Sequence, residues 1–164
     1  MTEYVFYRST GIPVERLIPI ESKYHFFYFR PTIPGWSFHK TNGAVNLMWY
    51  LLTAGKYSIA YVVDREDGQI VHFSYILPKT VRFPFMGAGD RHIVGCQTDS
   101  AHRCRSLYTC TLQRIVRDHP GGVKWITARP ANAASVRGIE KAGFEYAGRG
   151  KKRFFLGLYT MDSV

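Results

Sequence analysis

The chain has 164 residues, 46% hydrophobic and 15% aromatic, which suits one domain with a real core and excludes a disordered segment. No apolar run is long enough to span a bilayer, and the opening MTEYVFYRST lacks the order of a secretion signal, so cytoplasmic residence is the expectation. The net charge is +10, and between His102 and Arg153 twelve Lys or Arg accompany only three acids, which favours an anionic partner: nucleic acid, an acidic lipid surface or a multiply phosphorylated small molecule.

In chain order, EYVFYRS reads as a first strand. Residues 22–41 crowd aromatics around two prolines and suggest irregular structure with one short strand. AVNLMWYLL is a helix candidate, because Val45, Met48, Trp49 and Leu52 recur at helical spacing between Asn42 and Gly55. YSIAYVV, the turn DREDG and QIVHFSYIL form a hairpin pattern. RHIVGCQT is a further strand and SLYTCTLQRIVRD a helix, with Tyr108, Leu112, Ile115 and Val116 on one face. After HPGG come the strand VKWITA, a second helix, and two strands, EYAG and RFFLGLYTM, joined by RGKK at a hairpin tip. This order predicts an α/β (α+β) fold with a mixed, mostly antiparallel sheet. Three cysteines (Cys96, Cys104, Cys110) without CxxC spacing read as reduced thiols, and no metal site is expected.

Two segments carry more than fold. NAASVRGIEKAGF, residues 132–144, is well punctuated: Asn132 suits an N-cap, Val136, Ile139 and Ala142 lie at helical spacing, and Gly143 suits a left-handed stop with Phe144 folding back. DSAHRCRS precedes the other helix and places Arg103 and Arg105 at its start. Cations there are unfavourable for an isolated helix, whose N-terminus is already partly positive. Either both arginines are solvated, or free amides and guanidinium groups together cradle a phosphate.

Strand, arginine-bearing loop, helix, strand and NAASVRGIEKAGF together resemble the Gcn5-related N-acetyltransferase (GNAT) superfamily, specifically over residues 91–147 and in element order from about residue 57. HRCRSLY and the later helix look most like its small members encoded among surface-polysaccharide genes. The resemblance implies one domain over 1–164, with about four helices flanking the sheet, residues 1–56 on the acceptor side and 57–164 as cofactor-binding core. It implies an acetyl-CoA-dependent N-acyltransferase acting on a small-molecule amine, such as an amino sugar or nucleotide-sugar, as a monomer or homodimer. By position, Cys96, Gln97 and Thr98 would line the pantetheine arm. Arg103, Cys104, Arg105, Ser106, Leu107 and Tyr108 would form the pyrophosphate loop, and Asn132 and Ser135 would lie near the thiol end.

The chain departs from the family where Cys104 and Ser106 replace glycines, Ala101 replaces Gln or Arg, and Ile139 stands where many members have Tyr. The Glu that often serves as base has no match. His92, near the head of its strand, is then the candidate base, with Asp90 second. Tyr108 and Tyr146 are candidates to support the departing thiolate, and RGKK to reach the cofactor's 3′-phosphate or an acidic acceptor. Tyr24, Tyr28, Trp36 and His39 are candidates for the acceptor lining, or simply fill a small core. Two other readings stay open: a nucleic-acid-binding or nucleic-acid-modifying protein on the same fold, and a non-catalytic CoA-binding descendant.

Overall fold

The computed structural model describes residues 2–11, 17–32, 43–153 and 157–162. Within them the chain runs β1 (Thr2–Ser9), β2 (Tyr24–Phe29), α1 (Gly43–Thr53), β3 (Ser58–Asp64), β4 (Ile70–Pro78) and β5 (Arg91–Thr98). A 3-10 turn (Ser100–His102) follows, then α2 (Leu107–Asp118), β6 (Lys124–Ala128), α3 (Ala133–Lys141), β7 (Glu145–Lys152) and β8 (Tyr159–Met161). Three α-helices are therefore present among the described residues, against about four expected.

All eight strands form one sheet, in the order β2-β3-β4-β5-β6-β1-β7-β8. Only β5 and β6 pair in parallel; every other neighbouring pair is antiparallel. The expected α/β fold with a mixed, mostly antiparallel sheet is the fold observed. β1 lies inside the sheet, with Val5 opposite Ala128 of β6 on one side and Arg149 of β7 on the other. Residues 2–9 thus form an interior strand of the sheet.

The sheet has a core on each face. One holds Val5, Ile76, Ile93, Leu112, Ile115 and Ile139, from the central strands and from α2 and α3. The other is mostly aromatic, with Trp49 of α1, Tyr57, Tyr61, Tyr75, Phe83 and Trp125. β4, buried along eight of its nine residues, lies between them and reads as a continuous apolar run for that reason.

The helix of the 132–144 segment is built as its punctuation predicts. Asn132 Oδ1 accepts from the Ser135 amide at 3.2 Å. Gly143 takes φ +89°, and Phe144, buried, returns its amide to the Ile139 carbonyl at 3.3 Å. In α1 the buried stripe is Asn46, Trp49 and Thr53, whereas Met48 and Leu52 stay more than a third exposed. The polar Asn46 is accommodated because its Oδ1 accepts from Tyr75 Oη at 2.8 Å and its carbonyl from Tyr57 Oη at 3.1 Å. RGKK is not a hairpin tip: Arg149 to Lys152 are strand residues of β7, paired with β1 opposite Val5 to Thr2.

Candidate functional site

β5 and β6 stay together for three residue pairs, from Arg91–Lys124 to Ile93–Ile126, and then part. Past that point β5 keeps its ladder with β4, but an extra residue intrudes between the pairs Tyr75–Val94 and Phe73–Gln97. Gly95 sits at this bulge with φ +61°, where a β-carbon would lie 3.0 Å from the Tyr75 ring, so glycine is the residue the position admits. The parting leaves one edge of outer β5 with no strand partner among the described residues, and its backbone groups there are open to a ligand.

A cleft of about 680 Å³ lies beside this edge. β5 contributes Cys96, Gln97 and Thr98, and the following loop and the start of α2 contribute Arg103, Cys104, Ser106, Leu107 and Tyr108. Asn132 and Ser135 close it from α3. Of the residues expected around a cofactor, Arg105 alone stays out: its guanidinium turns to Glu21 at 3.9 Å, a solvent-exposed pair of little strength. Sequence reasoning passed over His102, Thr109, Ala134, Gly138 and Lys141, which also line the cleft. Their only signal was that Ala134, Gly138 and Lys141 share the α3 face opposite Val136 and Ile139. Among the described residues the lining carries cations and no carboxylate.

The loop between β5 and α2 is shaped to expose amides. Asp99 opens it, its carboxylate accepting from the Ala101 amide at 3.2 Å. Cys104 and Ser106 then take φ +63° and +57°, so the two residues standing where the family has glycine adopt glycine's left-handed conformation. That geometry costs an L-residue roughly 1–2 kcal/mol per position. Ser106 is the N-cap of α2 yet makes no side-chain cap bond, and the first turn carries no acid. No backbone acceptor among the described residues takes the amides of Cys104, Arg105, Ser106 or Leu107. Free amides, a helix start and Arg103 together suit an anion.

Behind the cleft wall runs a neutral polar chain. His72 on β4 is buried, with Nδ1 2.7 Å from Thr98 Oγ1 and Nε2 2.9 Å from Ser74 Oγ. Burial pushes its pKa down to about 3, so the imidazole is uncharged at neutral pH. Burial likewise pushes the Cys96 thiol up to about 11, opposed by a hydrogen bond with Ser74, so Cys96 is a wall residue and not a nucleophile. Tyr108 Oη lies 3.2 Å from Ser135 Oγ, and burial, followed by the Cys96 sulfur, raises the phenol far above its ordinary value. Tyr108 is a hydroxyl donor at any working pH and never a base.

Several expected residues lie elsewhere. His92 faces the aromatic core on the other side of β5, fully buried, its ring centroid 4.1 Å from that of Phe83, and neither nitrogen is hydrogen-bonded among the described residues. Burial, with help from Arg82, holds its pKa at about 3, so it cannot serve as a base near neutrality. Asp90 is structural: its carboxylate accepts from the amides of Gly87 and Val123 and from Trp125 Nε1, each at 2.8 Å. Burial opposes its ionisation, but these bonds prevail and keep it below the usual carboxylate range. Tyr146 is exposed on β7, edge-on to Tyr7, and does not line the cleft. Tyr28 bonds Asp118 on α2 at 3.1 Å and Tyr24 bonds His102 at 3.1 Å, so both tie β2 to the cleft side of the sheet and not to an acceptor site. Trp36 and His39 lie outside the described residues.

No protein-family model matches the sequence, and no curated protein sequence matches it. Solved structures do resemble the fold. A tandem GNAT protein from the clavulanic acid biosynthesis pathway is 11% identical over 90% of this chain and 51% of its own length, with a TM-score of 0.59. A GCN5-related N-acetyltransferase from Sphaerobacter thermophilus is 14% identical over 90% of this chain and 49% of its own, with a TM-score of 0.59. A GNAT-family acetyltransferase from Novosphingobium aromaticivorans is 13% identical over 90% and 61% respectively, with a TM-score of 0.55. The chain therefore spans about half the length of the first two. At these identities the likeness is one of architecture: the chain has the GNAT fold.

Proposed function

We propose that this chain is an acetyl-CoA-dependent N-acyltransferase acting on a small-molecule amine, with an amino sugar or nucleotide-sugar as the acceptor class. One observation carries the reading: the parallel pair β5–β6 parts after Ile93 and Ile126, beside a cationic cleft that continues into a loop of exposed amides. The fit is chemical. An unpartnered strand edge matches a pantetheine arm, whose amides need backbone partners, and the amides of Cys104 to Leu107 with Arg103 match a diphosphate.

In this reading Cys96, Gln97 and Thr98 hold the arm, and the loop from Arg103 to Leu107 holds the diphosphate. Acetyl-CoA bound there supplies the activated acyl group. The His72 ring fixes the hydroxyl of Thr98 from behind, and the neutral chain from Cys96 through Ser74 to His72 puts no charge against the arm. The Tyr108 hydroxyl is the donor suited to a departing thiolate, held in place by Ser135. With His92 and Asp90 otherwise engaged, positioning of a neutral amine supplies the acceleration. The left-handed conformations of Cys104 and Ser106 support the reading, since they turn the loop as glycines would.

Acetyl-CoA is expected to raise the melting temperature, and Arg103→Ala to remove most of that rise. Mass spectrometry of an amine-metabolite pool incubated with acetyl-CoA is expected to show a product heavier by one acetyl group. A melting temperature indifferent to acetyl-CoA would refute the cofactor assignment. A second reading, nucleic-acid binding, draws on the charge of +10, and would show as binding that weakens steeply with salt.

A further inference from the structure

Where β5 and β6 part, the sheet is open to both faces, and the cleft accounts for only one of them. On the aromatic face, Thr127 is the first β6 residue past the last β5 pair, and its partner across β1 is Phe6. The Tyr159 ring of β8 lies over Phe6, centroids 6.5 Å apart, and meets Tyr4 edge-on at 5.2 Å. Just past the last β1–β6 pair, Val5–Ala128, come Tyr4 and Arg129. Both tyrosines are half-buried, so their rings border this second mouth without sealing it.

The charges gathered here are all of one sign. Lys152, the cross-strand partner of Tyr159, sets Nζ 5.7 Å from the centre of that ring. Arg82 is tied to the same strand by its carbonyl, which accepts from the Tyr159 amide at 2.9 Å. Its guanidinium lies over Trp49, with Cζ 5.0 Å from the ring centroid, and Nε donates to the Gly157 carbonyl at 3.4 Å. The chain makes room for it: Gly157 takes φ +61°, and a β-carbon there would lie 2.6 Å from Nη2. Nη1 has only the Met48 sulfur, at 3.8 Å, and Nη2 has no acceptor among the described residues. Arg105 pairs with Glu21, and Arg114 and Arg117 with Asp118, but no carboxylate among the described residues pairs with Arg82, Arg129 or Lys152. Burial and the Tyr4 phenol hold the Tyr159 hydroxyl above its ordinary range, against the pull of Arg82 and Arg129, so it stays a donor. A half-buried guanidinium fork without an acid, beside phenol donors, is matched by an oxyanion.

We propose that the acyl acceptor enters from the aromatic face, and that Arg82 and Arg129 bind an anionic group on it while the hydroxyls of Tyr4 and Tyr159 orient its polar body. The protein then selects amines that also carry a phosphate or a carboxylate, which favours a nucleotide-sugar or an acidic amino sugar over a neutral one. The same cations lower the pKa of an amine held near them and so favour its neutral, nucleophilic form. The inference rests on the reading that coenzyme A lies in the cleft on the other face, which keeps the two bound anions a sheet's thickness apart.

The test gives the full chain acetyl-CoA and amino sugars differing only in charge: glucosamine, glucosamine 6-phosphate, the corresponding amino-uronic acid and a nucleotide-linked amino sugar. Products are identified by mass spectrometry and initial rates read from thiol release. A charged acceptor is expected to react with kcat/KM at least about tenfold above that of glucosamine, and the phosphate and uronate arms show which anion the site takes. In Arg82→Gln that ratio should fall toward one, mainly through KM, and Arg82→Lys, with charge but no fork, should restore part of it. Arg129→Gln, at an exposed position, should lower the ratio with normal stability. Added salt should shrink the preference. Equal rates with charged and neutral amines, a preference intact in Arg82→Gln and Arg129→Gln, or no product from any of them by a chain that acetyl-CoA still stabilises would overturn the acceptor site and leave the cofactor reading standing. A chain that acetyl-CoA does not stabilise would overturn both.

Discussion

Gly138 of α3 lies so close against Tyr108 of α2 that a β-carbon there would sit 2.7 Å from Cδ1 of the ring. The two helices meet over the cleft through this contact, which also delivers the Tyr108 hydroxyl to Ser135. Gly138→Ala is expected to cost roughly 1–3 kcal/mol by overpacking, offset in part by alanine's better helix propensity. It should also cut turnover by displacing the ring, whereas Tyr108→Phe should cut turnover at near-normal stability, by about tenfold to a hundredfold with KM little changed. Chemical denaturation with steady-state kinetics on both variants checks this. Unchanged turnover in Tyr108→Phe would remove the residue from the chemistry.

The left-handed residues of the loop make an opposite forecast. Replacing Cys104 or Ser106 with glycine relieves strain of roughly 1–2 kcal/mol but adds chain entropy of roughly 0.5–1 kcal/mol in the unfolded state. Each substitution should therefore be neutral or stabilising, by at most about 1.5 kcal/mol, and should preserve the melting-temperature rise with acetyl-CoA. Alanine at the same positions should gain nothing. A destabilised glycine variant would mean that the Cys104 or Ser106 side chain contributes more than its backbone costs.

The two buried histidines predict acid sensitivity. His72 and His92 ordinarily titrate near 6.5, and burial lowers both to about 3, so between these values the unfolded chain binds protons that the folded one refuses. The stability they permit is intact above about pH 6.5 and drains as pH falls toward 3, by roughly 1.4 kcal/mol per unit for each ring. His92→Leu removes one of the two. Against wild type, its relative stability should improve by about 2 kcal/mol between pH 7.5 and pH 5 in urea titrations. Because neither His92 nitrogen has a partner among the described residues, the variant should lose little or nothing even at pH 7.5. Its activity should keep the wild-type pH profile, and an altered profile would restore His92 as a base.

Asp90 joins the loop before β5 to the start of β6 through three hydrogen bonds to one carboxylate. Asp90→Ala strands two amides and the buried indole N–H of Trp125. A loss of about 3 kcal/mol is expected in chemical denaturation, with acetyl-CoA affinity of the folded fraction retained. A small loss of stability with a large loss of turnover would instead make Asp90 a functional group.

Much of the frame was legible because its signals are local. The strand Arg91–Thr98, the Asn132 cap and the Gly143 stop each depend on a few neighbouring residues, and the structure has them where the pattern put them. The cleft walls from β5, the loop and α3 were implied by the family resemblance, carried over position by position. Non-local geometry was not legible. Nothing in RHIVGCQT says that His92 and Ile93 face opposite cores, because both faces of β5 are buried near its start and alternation carries no sign. Arg105 looked equivalent to Arg103 until Glu21, distant in sequence, took it away from the cleft. The place of His102 in the cleft was invisible for the same reason, since its ring meets Tyr24 and Asp64, both distant in sequence.

The interior place of β1 bears on biogenesis. Tyr4, Val5 and Phe6 are translated more than a hundred residues ahead of their sheet neighbours, such as Ala128, Arg149 and Gly150. Until then a short β-prone, apolar stretch has no edge to dock on, and closing the sheet across β6 and β7 is a late, high-contact-order step. A chain cut ahead of β6 leaves β1 without either of its neighbours, an apolar strand with two raw edges that is prone to aggregate.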